Sequence, residues 1–245
     1  MKPTPWLIGS NNQKKAQEMQ RILAPMGISL QSPRDLDLQL EVDEWGTTFR
    51  QNATLKALRF AATVDRVAVA DDSGLCVDGL DGAPGVYSSR FAGPDATDAQ
   101  NNQKLSQELE GKSGAARRAR YQCVIAIACP QKYDGPLIAQ LREQKAPVHY
   151  RGFDALDSAD AWTLDEDTAQ TLVGHACPMN LWLFAGSWEG HIGHAPKGEG
   201  GFGYDPWFAL DDGRHAAELS DEEKNRRSHR GKALRVLAET LHAAS

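Results

Sequence analysis

Apolar residues recur along this chain in two rhythms, short unbroken runs and three-to-four-residue repeats, and the two alternate. Trp6 to Gly9 is a short first run and reads as a strand. A polar turn follows, then Ala16, Met19, Ile22 and Leu23 recur at helical spacing. Residues 24–43 read as a connection with an extended segment over Ile28–Leu40. Thr48 with Gln51 three positions later matches a capping box, which predicts a helix from Phe49 to about Ala62 packed through Phe49, Ala53, Leu58 and Ala61. Val67–Ala70 predicts a buried strand, Asp98–Glu110 a mostly polar surface helix, and the apolar run within Ala119–Pro130 a second buried strand. Gly135–Glu143 predicts a short helix and Leu181–Ile192 a strand bent at Gly186. Ser220 with Glu223 repeats the capping signature and opens a helix carrying Lys224. Ala233, Leu234, Leu237 and Leu241 then form the buried stripe of a closing helix. Strands alternating with helices predict an α/β fold.

Candidate chemistry concentrates where the apolar pattern breaks. The run at Val67 stops at Asp71, Asp72, Ser73 and Gly74, so a strand is expected to deliver acids into a loop. Along an extended chain Val67, Val69 and Asp71 share one face, and Ala68, Ala70 and Asp72 the other. The bulky face is expected to pack the core and the alanine face to leave room for a ligand. Asp72 is then the catalytic carboxylate, with Asp71 accepting loop amides. Two readings stand, a catalytic acid or a pair of acids capping the following turn.

Ser10, Asn11, Asn12, Gln13, Lys14 and Lys15 form a polar turn at a helix start, where unpaired amides and the helix dipole favour an anion. The segment lacks the GxxxxGK[ST] spacing of a Walker A loop, and a plain solvated helix start is the competing reading. Asn52 and Lys56 lie four apart on one helix face, with a plain solvated face as the competing reading. Gly198–Phe208 is rich in glycine, with Phe202, Tyr204 and Trp207 as planar surfaces for a base and Asp205 held extended before Pro206. The same loop also fits a plain turn with core anchors. Arg226, Arg227, His229, Arg230 and Lys232 form a dense basic run, read either as a solvated face or as a local phosphate or base contact.

Composition narrows the possibilities. The formal net charge of −6 argues against bulk nucleic-acid binding but leaves room for a small anion at a local basic cluster. No apolar run approaches a membrane span, and the first residues carry no signal-peptide core, so a cytoplasmic protein is expected. The 4 cysteines form no CxxC pair, and neither His175 with Cys177 nor His191 with His194 has convincing metal-ligand spacing.

Several segments, taken in order, resemble one family. They are Ser10–Lys15, Glu44–Phe49 with Asn52 and Lys56, Asp71–Leu75, Gly82–Phe91 and Gly200–Pro206. Ala217–Leu219, Glu223–Asn225 and Ser228–Arg230 complete the set. The sequence resembles the inosine/xanthosine triphosphate pyrophosphatase family, also called the Ham1 or RdgB family. Trp45 departs from it, standing where such sequences commonly carry threonine. Residues 131–180 read as an atypical insertion within a single domain spanning 1–245.

The resemblance implies an elongated mixed sheet flanked by helices, two lobes with a cleft between them, and a homodimer. It implies Mg²⁺-dependent hydrolysis of ITP, dITP or XTP to the monophosphate and pyrophosphate. Glu44 and Asp72 are the implied metal ligands, with Asp72 and Lys15 catalytic. Ser10–Lys15, Asn52, Lys56, Ser73, Phe202, Gly203, Tyr204, Asp205, Lys224, His229 and Arg230 are the implied substrate contacts. A pyrophosphatase of the Maf type and a nucleotide-binding module without hydrolysis are the rival readings.

Overall fold

Small residues at alternate strand positions set how closely a helix approaches the sheet in this protein. The computed structural model describes residues 4–10, 12–143, 148–151 and 179–242. Its strands are β1 (Trp6–Ile8), β2 (Leu30–Gln31), β3 (Ala68–Val77), β4 (Arg118–Pro130), β5 (Val148–Arg151), β6 (Met179–Ile192) and β7 (Phe208–Ala209). They follow the order β2-β1-β3-β4-β6-β5, with β7 paired to β6. The sheet is mixed, because β1 runs parallel to β2 and β3 and β5 parallel to β6, whereas β7 is antiparallel to β6. The helices are α1 (Gln13–Leu23), α2 (Phe49–Val64), α3 (Asp98–Glu108), α4 (Pro136–Glu143), α5 (Asp221–Arg227) and α6 (His229–His242). The predicted α/β class is the class found.

The chain divides into two compact units. The first comprises Met1–Asp72, Val124–Gly186 and Ala233–Ser245, the second Ser73–Cys123 and Ser187–Lys232. In the first unit Ala68 and Ala70 of β3, Val124, Ala126 and Ala128 of β4, and Leu181, Leu183 and Ala185 of β6 are buried with α2. Within each strand these positions are two apart, the period of one sheet face. Ala53, Ala57 and Ala61 answer from the helix, with Leu58 and Phe60 filling the remaining space. The core of the second unit is larger in side chain, with Leu75, Val77, Leu105, Tyr121, Trp188, Tyr204 and Phe208.

Three expectations are revised. The strand begun at Ala68 does not stop at the acids but continues to Val77, so Asp71 and Asp72 lie within a strand. The alanine face, expected to be open for a ligand, is covered by α2. The extended stretch expected over Ile28–Leu40 shrinks to Leu30–Gln31, because Ser32 and Asp35 cap each other around a short 3₁₀ turn at Pro33–Leu36. Both predicted capping boxes, Thr48 with Gln51 and Ser220 with Glu223, are formed. Most of the expected insertion at 131–180 lies outside the described residues, which there are 131–143, 148–151 and 179–180. No helix among the described residues is long and apolar enough to cross a membrane.

Arg117 ties together the second unit. Its buried guanidinium donates from Nε to the Ile192 carbonyl at 2.7 Å, from Nη1 to the Leu109 carbonyl at 3.0 Å, and from Nη2 to the Gly193 carbonyl. Arg117→Met keeps the apolar stem and strands those acceptors, so we predict a loss of about 3 kcal/mol. A urea unfolding midpoint measured on both proteins checks the prediction.

Candidate functional site

The first unit carries charged groups on both faces of β3. Asp72 shares a strand face with Ala68 and Ala70, so the helix that covers those alanines also reaches the acid. Lys56 Nζ lies 3.2 Å from Asp72 Oδ1 and 3.0 Å from Glu44 Oε1. One turn earlier Asn52, wholly buried, donates from Nδ2 to Asp72 Oδ2 at 3.2 Å. Its Oδ1 accepts the Gly46 amide at 2.8 Å. A side chain at Gly46 would place its Cβ 2.6 Å from that oxygen, so this close approach requires glycine. Gln51 fixes the same loop by accepting the amides of Thr47 and Thr48. Asn52 therefore joins the Glu44 loop to the catalytic candidate, a link with no local signature in the sequence.

Asp71 points to the opposite face of β3, where Lys15 of α1 meets its Oδ2 at 3.1 Å. Lys15 is brought there by the helix start. Asn12 caps α1, its carboxamide oxygen accepting the amides of Lys14 and Lys15 at 3.0 and 3.2 Å. Ser10 Oγ in turn accepts the Asn12 amide at 3.2 Å. Gln13 and Lys14 are exposed on the first turn. Asn11 lies outside the described residues.

Three carboxylates and two ammonium groups leave this cluster with formal net charge of minus one. Asp72 sits above the usual carboxylate range, chiefly because burial penalises its charge; Lys56 and Lys15 oppose that shift, while Glu44 and Asp71 add to it. Lys56 is also raised, although burial alone would lower it, because Asp72, Glu44 and Asp71 surround the ammonium. The Asp72 shift is thus led by burial, and the Lys56 shift by the acids around it.

The same chemistry tests whether a divalent cation fits. Glu44 and Asp72 offer oxygen alone, the donor set of a hard cation. Among the described residues no group of three His, Cys, Asp or Glu side chains could hold a metal. Two carboxylates must then be completed by water and ligand oxygens, the usual condition of Mg²⁺. The donors fit.

The second unit contains a separate cluster. Lys224 Nζ meets Asp205 Oδ2 at 2.7 Å, and both side chains are buried. The same ammonium lies 4.4 Å from the centre of the Phe202 ring, within cation–π range. Asp205 Oδ2 also accepts the Phe202 amide at 2.8 Å, and the Tyr204 hydroxyl donates to the Ser88 carbonyl at 2.8 Å. Arg230, buried to 1% exposure, donates from Nη2 to Ser73 Oγ at 3.0 Å. His229 stacks on Tyr121 with ring centres 4.8 Å apart and planes 11° from parallel. Sequence reasoning counted Tyr121 only as part of a buried strand. Burial holds its phenol well above the ordinary range, with Asp205 and Tyr204 adjacent.

Each unit of this α/β protein thus contains a buried Asp–Lys contact, Asp72 with Lys56 in the first and Asp205 with Lys224 in the second. The chain belongs to the Ham1 family, whose model matches residues 6–145 and 154–240. It is 36% identical over 239 residues to a protein of Streptococcus thermophilus (strain CNRZ 1066) named dITP/XTP pyrophosphatase, an alignment covering 97% of this chain and 59% of that protein. The chain therefore spans about three fifths of the length of that streptococcal relative. A protein of the same name from Halalkalibacterium halodurans is 36% identical over 237 residues, with 96% of this chain and 98% of that one covered. Among solved structures, the Staphylococcus aureus Ham1 protein superposes with a TM-score of 0.71 at 29% identity, covering 99% of this chain and 100% of that one. A HAM1 protein from Coxiella burnetii gives the same TM-score, 0.71, at 32% identity over 98% and 100% of the two chains.

Removing Lys56 should expose the charge imbalance. In Lys56→Met the acids lose their shared cation, so the folded-state pKa of Asp72 rises further above its unfolded value. Stability is then retained below the unfolded carboxylate range and lost as pH rises through the raised folded pKa. We predict a destabilisation of about 3–5 kcal/mol at pH 8 and a smaller one at pH 5. Urea unfolding at the two pH values measures the difference.

Proposed function

We propose that this chain hydrolyses aberrant purine nucleoside triphosphates, ITP, dITP and XTP, to the monophosphate and pyrophosphate, with Mg²⁺ as its cofactor. The observation that carries the reading is the Glu44–Lys56–Asp72 cluster, in which two carboxylates share one ammonium and the buried Asn52 carboxamide fixes Asp72. The names of the Streptococcus thermophilus and Halalkalibacterium halodurans relatives support the substrate class.

The residue types suit the chemistry. A triphosphate carries about four negative charges, and phosphoryl transfer depends chiefly on positioning and charge neutralisation. Bound between Glu44 and Asp72, Mg²⁺ would supply charge neutralisation and acidify a coordinated water. Asp72 orients the attacking water toward the α-phosphorus and takes its proton; its raised proton affinity suits a base. Lys15 and Lys56 bring positive charge to phosphate oxygens, and the Ser10–Lys15 turn contributes further donors.

In the second unit, Lys224 supplies another cation, and Ser73 hydrogen-bonds phosphate or ribose. Phe202–Asp205 with His229 and Arg230 reads the base. Inosine and xanthosine present an oxygen at position 6 where adenosine presents an amine. Donors aimed at that position accept the first and leave the second with a buried polar group unpaired. A homodimer and a cytoplasmic address belong to the same proposal.

Pyrophosphate release measured with Mg²⁺ across ITP, dITP, XTP, ATP, UTP and dTTP tests it. The first three should turn over well above the rest; preference for UTP or dTTP would favour chemistry of the Maf type, and no release would favour a binding module. Asp72→Asn should lower kcat by about a thousandfold with an unchanged circular dichroism spectrum. A near-normal rate would remove Asp72 from the mechanism.

A further inference from the structure

Sequence reasoning assigned α3 to the surface, yet this helix holds both polar atoms of one residue in the base-reading loop. Asp98 Oδ2 accepts the Gly203 amide at 2.8 Å, and Asn102 Nδ2 donates to the Gly203 carbonyl at 2.8 Å. The two side chains are four positions apart and share a helix face. Gly203 has a φ of +62°, and an added Cβ there would meet nothing within 4 Å. Glycine is thus suited by its left-handed backbone, not by crowding, and such a residue has many other conformations to visit when unrestrained. The neighbours are fixed as well, Phe202 through Asp205 and Tyr204 through Ser88.

We propose that Asp98 and Asn102 are positioning residues for base selection, clamping Gly203 so that Phe202–Asp205 presents its donors and acceptors in one fixed orientation. The proposal rests on reading that loop as the base contact. A backbone group distinguishes an oxygen from an amine only while its direction is fixed, and a loop free to turn its peptide plane would satisfy either base. Asn102 has a second feature in keeping with this role. Its Oδ1 is buried without a hydrogen-bond partner among the described residues. An unsatisfied buried acceptor costs at least what one neutral hydrogen bond returns, so the side chain adds little to stability. The Gly203 carbonyl fixes which amide atom faces it. Its effect lies in geometry.

The test compares kcat and KM for ITP and ATP in wild type, Asp98→Ala, Asp98→Asn, Asn102→Ala and Asn102→Asp, alongside inhibition by tripolyphosphate and thermal unfolding. Asp98→Ala and Asn102→Asp should each lower the ITP-to-ATP ratio of kcat/KM by about tenfold or more, mainly through KM for ITP. Inhibition by tripolyphosphate, which has no base, should hold. Asp98→Asn retains an acceptor for the Gly203 amide and should keep the wild-type ratio. Asn102→Asp is nearly isosteric but presents a carboxylate to a carbonyl, and Asn102→Ala should lose selectivity with little change in melting temperature. Wild-type ratios in Asp98→Ala and Asn102→Asp, or equal losses on both substrates accompanied by a lower melting temperature, would overturn the inference. A wild-type enzyme that turns over ITP and ATP equally would instead overturn the reading of the loop itself.

Discussion

A charge buried without a partner is among the costliest things a fold can contain, and the first unit buries several on the two faces of one strand. Asp71 and Asp72 sit in the middle of a strand at 1% and 5% exposure, and Lys56 at 8%. Each is tolerable only because another is present, so the positions of α1, the Glu44 loop, α2 and β3 are bound together by electrostatics. Packing makes that possible. Alanines at alternate positions of β3 and β4 admit α2 closely enough for Asn52 and Lys56 to meet Asp72. A larger residue at Ala68 or Ala70 would lift the helix and separate the ammonium from the acid.

Such a cluster is poorly arranged for stability alone. Replacing buried ion pairs by well-packed apolar groups often leaves a protein as stable or more so. Here the acids outnumber the lysines, and Asp72 holds its proton more firmly than an ordinary carboxyl because of burial. On the proposed reading, a divalent cation held by Glu44 and Asp72 would offset that excess of acid and in turn hold phosphate. The second unit repeats part of this logic with Asp205 and Lys224, adding an aromatic ring beneath the ammonium.

Much of this was legible in the sequence, but unevenly. Thr48 with Gln51 and Ser220 with Glu223 announced α2 and α5, since capping is decided within four residues. The alternation at Val67–Asp72 placed Asp72 apart from Asp71, which the separate partners Lys56 and Lys15 reflect. The length of β3 was not legible, because Asp-Asp-Ser-Gly has the composition of a turn and only neighbouring strands and buried cations keep it extended. The alanine face misled for a related reason: small side chains mark close approach, and sequence does not say whether ligand or helix approaches. Contacts between distant segments, Asn52 to Gly46 and Tyr121 to His229, left no pattern. The polar residues of α3 looked solvated because their partner lies about a hundred positions away.

The central proposal is that Glu44 and Asp72 form a cation site, with Lys56 offsetting part of their charge. Anomalous diffraction from crystals soaked with Mn²⁺ and a non-hydrolysable ITP analogue tests it most directly. The account predicts an anomalous peak about 2.2 Å from carboxylate oxygens of both residues, with Lys56 shifted toward phosphate. A peak elsewhere, or a bound nucleotide with neither acid in contact with the metal, would contradict it.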